Sequence, residues 1–280
     1  MSYKTIVVQL DRGARCARRI ELAIRLAAAH GSRLVGIAAT GSPDAVVSVN
    51  RAVPDNVECV VLSADTLRDE AAALARAFER QCAAAGVASC EGRVVDAGEV
   101  EALIRNGRCS DLVVIGQTDP RAGVEGVPAD LPEQALLHSG APVLIVPWAG
   151  EFREPARRAL VAWKGSREAA RALRDALPML RRAEHVKLLE LGEDGAAPAQ
   201  GGDDVEAAGR WLASHGVAAD TRFEVSTIDV PEMLLSRAAD FSADLIVMGG
   251  YGHARMREWA LGGATRHLLA HMTAPTLMAH

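Results

Sequence analysis

The chain contains one pattern twice, and no other feature limits its possible folds as strongly. The run Lys4-Thr-Ile-Val-Val-Gln-Leu10 and the following 11–28 match Arg158-Ala-Leu-Val-Ala-Trp163 and the following 164–181. At this offset of 153 residues, Ala17 falls on Ala170, Ile20 on Leu173 and Ala23 on Ala176. Further on, Asp111-Leu-Val-Val-Ile-Gly116 matches Asp244-Leu-Ile-Val-Met-Gly249 at an offset of 133. The pairs Ala141–Pro147 with Ala274–His280, and Asp96 with Asp229, keep that second offset. The first copy therefore carries 20 extra residues in its middle. We place them around Thr40–Asn56, where the stretch GSPDAVVSVNRAVPDN has loop composition.

Each copy alternates β-rich runs with helical patterns. Thr5–Leu10, Arg33–Ala38, Arg93–Val95, Leu112–Ile115 and Val143–Val146 read as strands. Ala17, Ile20, Ile24 and Ala27 keep one helical face, as do Ala170, Leu173, Leu177 and Leu180. Leu67, Ala71, Leu74, Phe78 and Cys82 form another amphipathic stripe. Strands apolar on both faces and alternating with helices imply a parallel sheet covered on two sides. The expectation is an α/β chain of two tandem, superimposable, doubly wound five-stranded domains, residues 1–150 and 151–280, joined near 148–155. Taken alone, the repeat implies two separate sheets.

Composition excludes several function classes. Hydrophobic residues make up 49% of the chain and aromatics only 4%, so the cores are mainly aliphatic. A formal net charge of −5 argues against a nucleic-acid or membrane-surface partner. No N-terminal run has a signal-peptide layout and no apolar stretch is long enough for a membrane span. The five cysteines are scattered through the first half without C-x-x-C spacing and read as reduced thiols. The expected location is cytoplasmic.

The most chemically suggestive segment is 249–265, GGYGHARMREWALGGAT, between an apolar run and an amphipathic segment. A strand thus opens into a glycine-rich loop and then a helix. Glycines allow positive φ and close approach of a ligand to the backbone. A helix start adds unpaired N–H groups and the positive end of a dipole, a combination suited to phosphate. The spacing Gly249, two residues, Gly252, nine residues, Gly262, Gly263 is neither the dinucleotide fingerprint nor the P-loop. It resembles the G-x2-G-x9-G-(S/T) signature of ATP-binding universal stress proteins, and the resemblance extends over the whole chain as a tandem, two-domain type.

That resemblance implies strand order 3-2-1-4-5 in each domain and pairing of domains through their last strands, Val143–Val146 beside Thr276–Ala279. It implies ATP or ADP, with or without Mg2+, at the crevice where the strand order reverses. Ala162, Trp163, Lys164 and Met248 would flank the adenine side, while Gly249, Gly252, Gly262, Gly263, Ala264 and Thr265 would surround ribose and phosphates. His253, Arg255, Arg257 and Arg266 would add anion donors. The sequence departs from the pattern at Gly263, where the family has Ser or Thr, and at Lys164, where many members carry Asp. Thr265 is a replacement hydroxyl or a helix cap.

The first copy has lost the motif. Asp119 falls on Gly252, Ala129 on Gly262, Asp130 on Gly263 and Pro132 on Thr265. Carboxylates in a phosphate cradle repel the ligand, and Asp11, the retained acidic residue after the first strand, does not offset that loss. Nucleotide is therefore expected in the second copy only. Other chemistry is weaker. His267 and His271, with His280 as a remote third ligand, read as a helix face before a metal site. No serine lies in a nucleophile-elbow setting. Asp229 reads as an N-cap, with Pro231 in the first turn. No catalytic residue is assigned, so at most a slow ATPase is expected. The functional expectation is a stress-response nucleotide sensor, the domains paired within the chain, with homodimers a further option. The alternative is a nucleotide-independent interaction module. A related ATP enzyme is a third reading, weakened by the missing S-G-G-x-D-S type loop.

Overall fold

The computed structural model describes residues 2–41, 64–118, 127–152, 156–192, 198–252 and 263–280. Most of the extra segment placed near 40–56, together with Cys59, Asp119, Pro120, His253, Arg255, Arg257, Glu258 and Gly262, lies outside them.

In the first half, β1 (Thr5–Leu10), β2 (Arg33–Ala39), β3 (Cys90–Val95), β4 (Leu112–Gly116) and β5 (Val143–Val146) alternate with helices. These are α1 (Cys16–His30), α2 (Ala64–Ala84), α3 (Glu99–Gly107) and α4 (Leu131–His138). The second half supplies β6 (Arg158–Trp163), β7 (His185–Gly192), β8 (Ala219–Val225), β9 (Leu245–Gly249) and β10 (Thr276–Ala279). Its helices are α5 (Arg167–Asp175), α6 (Leu177–Leu180), α7 (Pro198–Ser214), α8 (Val230–Asp240) and α9 (Gly263–His271). The helical face expected from Ala170 to Leu180 is broken into α5 and α6, with Pro178 in the first turn of α6. Proline has no N–H to continue the ladder and its ring crowds the preceding turn.

The sheet order is β3-β2-β1-β4-β5-β10-β9-β6-β7-β8. Each half has the 3-2-1-4-5 order, and pairing inside each half is parallel. The ten strands nevertheless form one continuous sheet, whereas the repeat alone implied two. The physical reason is edge protection: β5 and β10 would each expose a row of unpaired backbone groups, and they pair antiparallel instead. Leu144 lies opposite Leu277, its own equivalent at the 133 offset, so a pseudo-two-fold axis passes between them.

Two aliphatic layers cover the sheet. On one face α1, α2, α5 and α7 pack with Ile6, Val8, Leu144, Val161 and Leu277. On the other, α3, α4, α8 and α9 pack with Val7, Ile115, Ile145, Ile246 and Met278. Strand alternation sends successive side chains to opposite layers, and both layers cross the β5–β10 seam. Arg171 donates to the Gly140 carbonyl at 2.7 Å, and Tyr3 donates to the Asp175 carbonyl at 2.7 Å, adding polar links between the halves. Among the described residues no helix is long and apolar enough to cross a membrane.

Candidate functional site

The crevice at the switch in strand order lies between β1 and β4 in the first half, and between β6 and β9 in the second. The two crevices are built differently. In the first half, Gln9 on β1 is fully buried and Arg19 on α1 is 2% exposed. Gln9 Nε2 donates to Glu99 Oε1 at 2.6 Å, and the Gly116 amide donates to Gln9 Oε1 at 2.8 Å. Arg19 Nε donates to the Gln9 carbonyl at 2.9 Å and Nη2 to Asp11 Oδ2 at 2.6 Å. A Cβ on Gly116 would stand 2.4 Å from Arg19 Nη1, so the guanidinium rests directly on the end of β4.

This network controls its own charges. Burial opposes the Arg19 charge, but Asp11, with Cys16 and Glu99 adding to it, outweighs that cost and keeps the guanidinium protonated. Burial pushes Glu99 up to about 7, with Asp11 adding to the shift and Gln9 and Arg19 opposing it. Asp11 thus serves Arg19 and the turn at Gly13, whose amide it accepts at 2.8 Å.

In the second half the equivalents of Gln9 and Arg19 are Ala162 and Ala172. Ala162 is half-buried where Gln9 is wholly enclosed, so removal of the two long polar side chains leaves the end of β6 more open. Lys164, equivalent to Asp11, is exposed. Gly165 holds φ +58°, a left-handed conformation that glycine adopts without strain, and carries the chain from β6 toward α5. Ser166 caps α5, its hydroxyl accepting from the Ala169 amide at 3.2 Å. Trp163 Nε1 and Glu190 Oε2, on paired strand positions, are both buried with no hydrogen-bond partner among the described residues. Burial raises Glu190, and Asp204 adds to it.

Val161 pairs with Val247, which sets Ala162 and Trp163 at the strand ends beside Met248 and Gly249. Gly249 is compulsory for packing: a Cβ would meet the Ala169 amide nitrogen at 2.5 Å and Glu168 Cβ at 2.8 Å. Gly250 lies against the first half, where a Cβ would be 2.4 Å from Leu136 Cδ2. Its amide donates to the Ala279 carbonyl at 3.0 Å. Tyr251 has φ +53°, an uncommon conformation for a residue with a Cβ. Burial, then Glu133, raise its hydroxyl to about 12, with Arg266 opposing.

Glu168 and Glu133 carried no signal in the sequence. Glu168 is 4% exposed, and its Oε2 lies 3.3 Å from the position of a Cβ on Gly252. Burial raises it, but its own amide, the Ser166 hydroxyl and Arg167 together hold it below the usual carboxylate range. Glu133, on α4 of the first half, faces Arg266 Nη2 at 3.3 Å. A link across 133 positions is legible only after the halves are paired.

Gly252 and Gly263 are exposed, and no described residue crowds a Cβ on Gly263. Helix α9 begins at Gly263, so Thr265 lies inside its first turn and is 5% exposed rather than occupying the cap position. Ala264 is in the same turn. Asp229 occupies the N-cap of α8 with a Pro in the first turn, but its side chain makes no capping bond. His271 Nδ1 lies 2.8 Å from the His267 carbonyl, and His280 Nδ1 lies 3.1 Å from the Gly250 carbonyl. Among the described residues no group of three His, Cys, Asp or Glu is arranged to hold a metal. Cys16, Cys82, Cys90 and Cys109 are free thiols.

Residues 155–280 match the Universal stress protein family. No curated protein matches the chain. Among solved structures, a universal stress protein from Archaeoglobus fulgidus DSM 4304 is 16% identical, covering 98% of this chain and 95% of its own, with a TM-score of 0.71. A putative universal stress protein from Pseudomonas aeruginosa UCBPP-PA14 is 15% identical over 98% and 92%, with a TM-score of 0.59. A universal stress protein in complex with cAMP is 26% identical over 52% of this chain and 98% of its own, at a TM-score of 0.38. The second half thus matches the universal stress protein family by sequence, and nearly the whole chain shares its fold with solved structures of universal stress proteins.

Proposed function

We propose that the chain is a tandem universal stress protein that binds ATP or ADP in its second half and acts as a stress-response nucleotide sensor, residues 1–150 serving as a structural partner to residues 151–280. The observation that carries this reading is the contrast between the two crevices. Gln9 and Arg19 fill the first, whereas Ala162 and Ala172 stand at the same positions of the second. The half with the small residues is also the half that has glycine at 252, 262 and 263, while Gly249 has its counterpart in Gly116 of the first half. The indole N–H of Trp163, without a partner among the described residues and placed by the resemblance at the base, supplies a donor for a ring nitrogen.

Mg2+ would travel with the nucleotide phosphates. Hydrolysis needs an oriented water and, in most such enzymes, a metal held by protein groups. Among the described residues Glu168 is the buried acid beside Gly252, and it is occupied with Ser166 and its own helix amide. Slow or absent turnover follows, and the protein reports nucleotide rather than consuming it. Mass spectrometry of gently denatured, purified protein tests the assignment. Release of adenine nucleotide is expected. Nucleotide-free protein that also fails to take up added ATP or ADP would favour the nucleotide-independent interaction module instead.

A further inference from the structure

The second-half crevice contains a fixed negative charge where the glycine loop begins. Glu168 follows the α5 cap, and its backbone and Cβ pack on Gly249, so the residue cannot retreat without moving the helix start. Its Oε2 lies toward Gly252, 3.3 Å from where a Cβ would be. Arg167 Nε contacts the other oxygen at 3.3 Å, but that side chain is largely exposed and offers little screening in the crevice. The equivalent residue of the first half is Arg15, an exposed side chain at the start of α1, so this acid is particular to the half with the glycine motif.

Building on the nucleotide reading above, we propose that Glu168 is a specificity-determining residue that penalises phosphate charge on the ligand of the second half. A neutral nucleoside passes the carboxylate without electrostatic cost. A phosphate laid along Gly249–Gly252 brings like charge beside it, and two unit charges about 4 Å apart repel even in water. The site is thereby tuned to ligands that carry little phosphate charge, or whose charge is already neutralised by a cation brought with them. The carboxylate stays ionised through the physiological range, so this selection does not switch off with modest acidification.

The test compares adenosine, AMP and ATP binding to the full chain in chelator-containing, metal-free buffer, before and after Glu168→Gln. The amide keeps the size and an acceptor oxygen for Ser166 but removes the charge. Adenosine affinity should stay within twofold, while ATP affinity rises by about fivefold, the factor for one unit repulsion at about 4 Å in water. Glu168→Asp, which draws the carboxylate back by one methylene, should give a smaller gain in the same order and serves if the Gln variant folds poorly. Equal changes for adenosine and ATP, or no change for either, would overturn the proposal while leaving the nucleotide site standing. Absence of binding by every ligand to the parent and both variants would remove the nucleotide reading and this proposal together.

Discussion

Glu133 and Arg266 occupy equivalent positions of the two halves, 133 residues apart, and face each other across the pseudo-two-fold axis with Nη2 and Oε2 3.3 Å apart. Two identical halves would set like charges at this place. The chain instead carries one acid and one base, which favours each half for the other. Nearby, Gln117 Nε2 donates to the Leu269 carbonyl at 2.7 Å, while Leu136 covers Gly250, so the same pair of positions makes contact twice, once in each direction.

Charge reversal at this point tests the pairing. Glu133→Arg should destabilise the chain by up to about 1 kcal/mol, since Arg266 is more than half exposed. Adding Arg266→Glu should restore most of the loss. Urea unfolding of the four members of the cycle measures it, and a double variant as unstable as the sum of the singles would contradict an attractive pair.

The buried network at Glu99 predicts a pH dependence. Its carboxyl titrates near 7 in the folded chain instead of near 4.5, burial being the main cause. The folded state therefore binds this proton more tightly than the unfolded state. The associated stability is fully present below about pH 4.5 and is lost as the pH rises through about 7, by up to about 3 kcal/mol. Glu99→Gln keeps the partner for Gln9 and cannot ionise. Its stability advantage over the parent should grow between pH 5 and pH 8 in denaturant titrations. A constant difference across that range would refute the assignment.

Trp163 bears on base recognition. Replacing it with Phe removes the buried Nε1–H, which has no partner among the described residues, and keeps most of the ring. Stability should be unchanged or slightly raised, because an unsatisfied donor is lost. If that donor meets adenine, ATP affinity should fall by roughly fivefold, the effect of about 1 kcal/mol for one hydrogen bond. A titration showing unchanged affinity would detach Trp163 from the base.

Much of the fold was legible because its signals are periodic. The runs at Thr5–Leu10 and Val143–Val146 coincide with β1 and β5, and the 133 offset aligns Leu144 with its pairing partner Leu277. The merger into one sheet depends on edge pairing, which the repeat does not encode by itself. The α5–α6 break turns on Pro178, whose effect an apolar stripe conceals. At the candidate site, Gly249 and Ala162 could be placed from strand ends alone. Arg19 on Gly116, Glu168 beside Gly252 and Glu133 beside Arg266 could not, because each joins distant segments through side chains whose directions the pattern leaves open. His253, Arg255 and Gly262 lie outside the described residues and remain part of the proposed anion cradle.

The central claim is that nucleotide occupies one half only, and binding stoichiometry addresses it most directly. Isothermal titration of the nucleotide-stripped full chain with ATP and Mg2+ should give about one site per chain. Gly252→Asp, which copies the first-half residue Asp119 into the second half, should weaken that binding at least tenfold by adding bulk and like charge beside Glu168. Two equivalent sites in the parent chain, or one site unaffected by Gly252→Asp, would contradict the account.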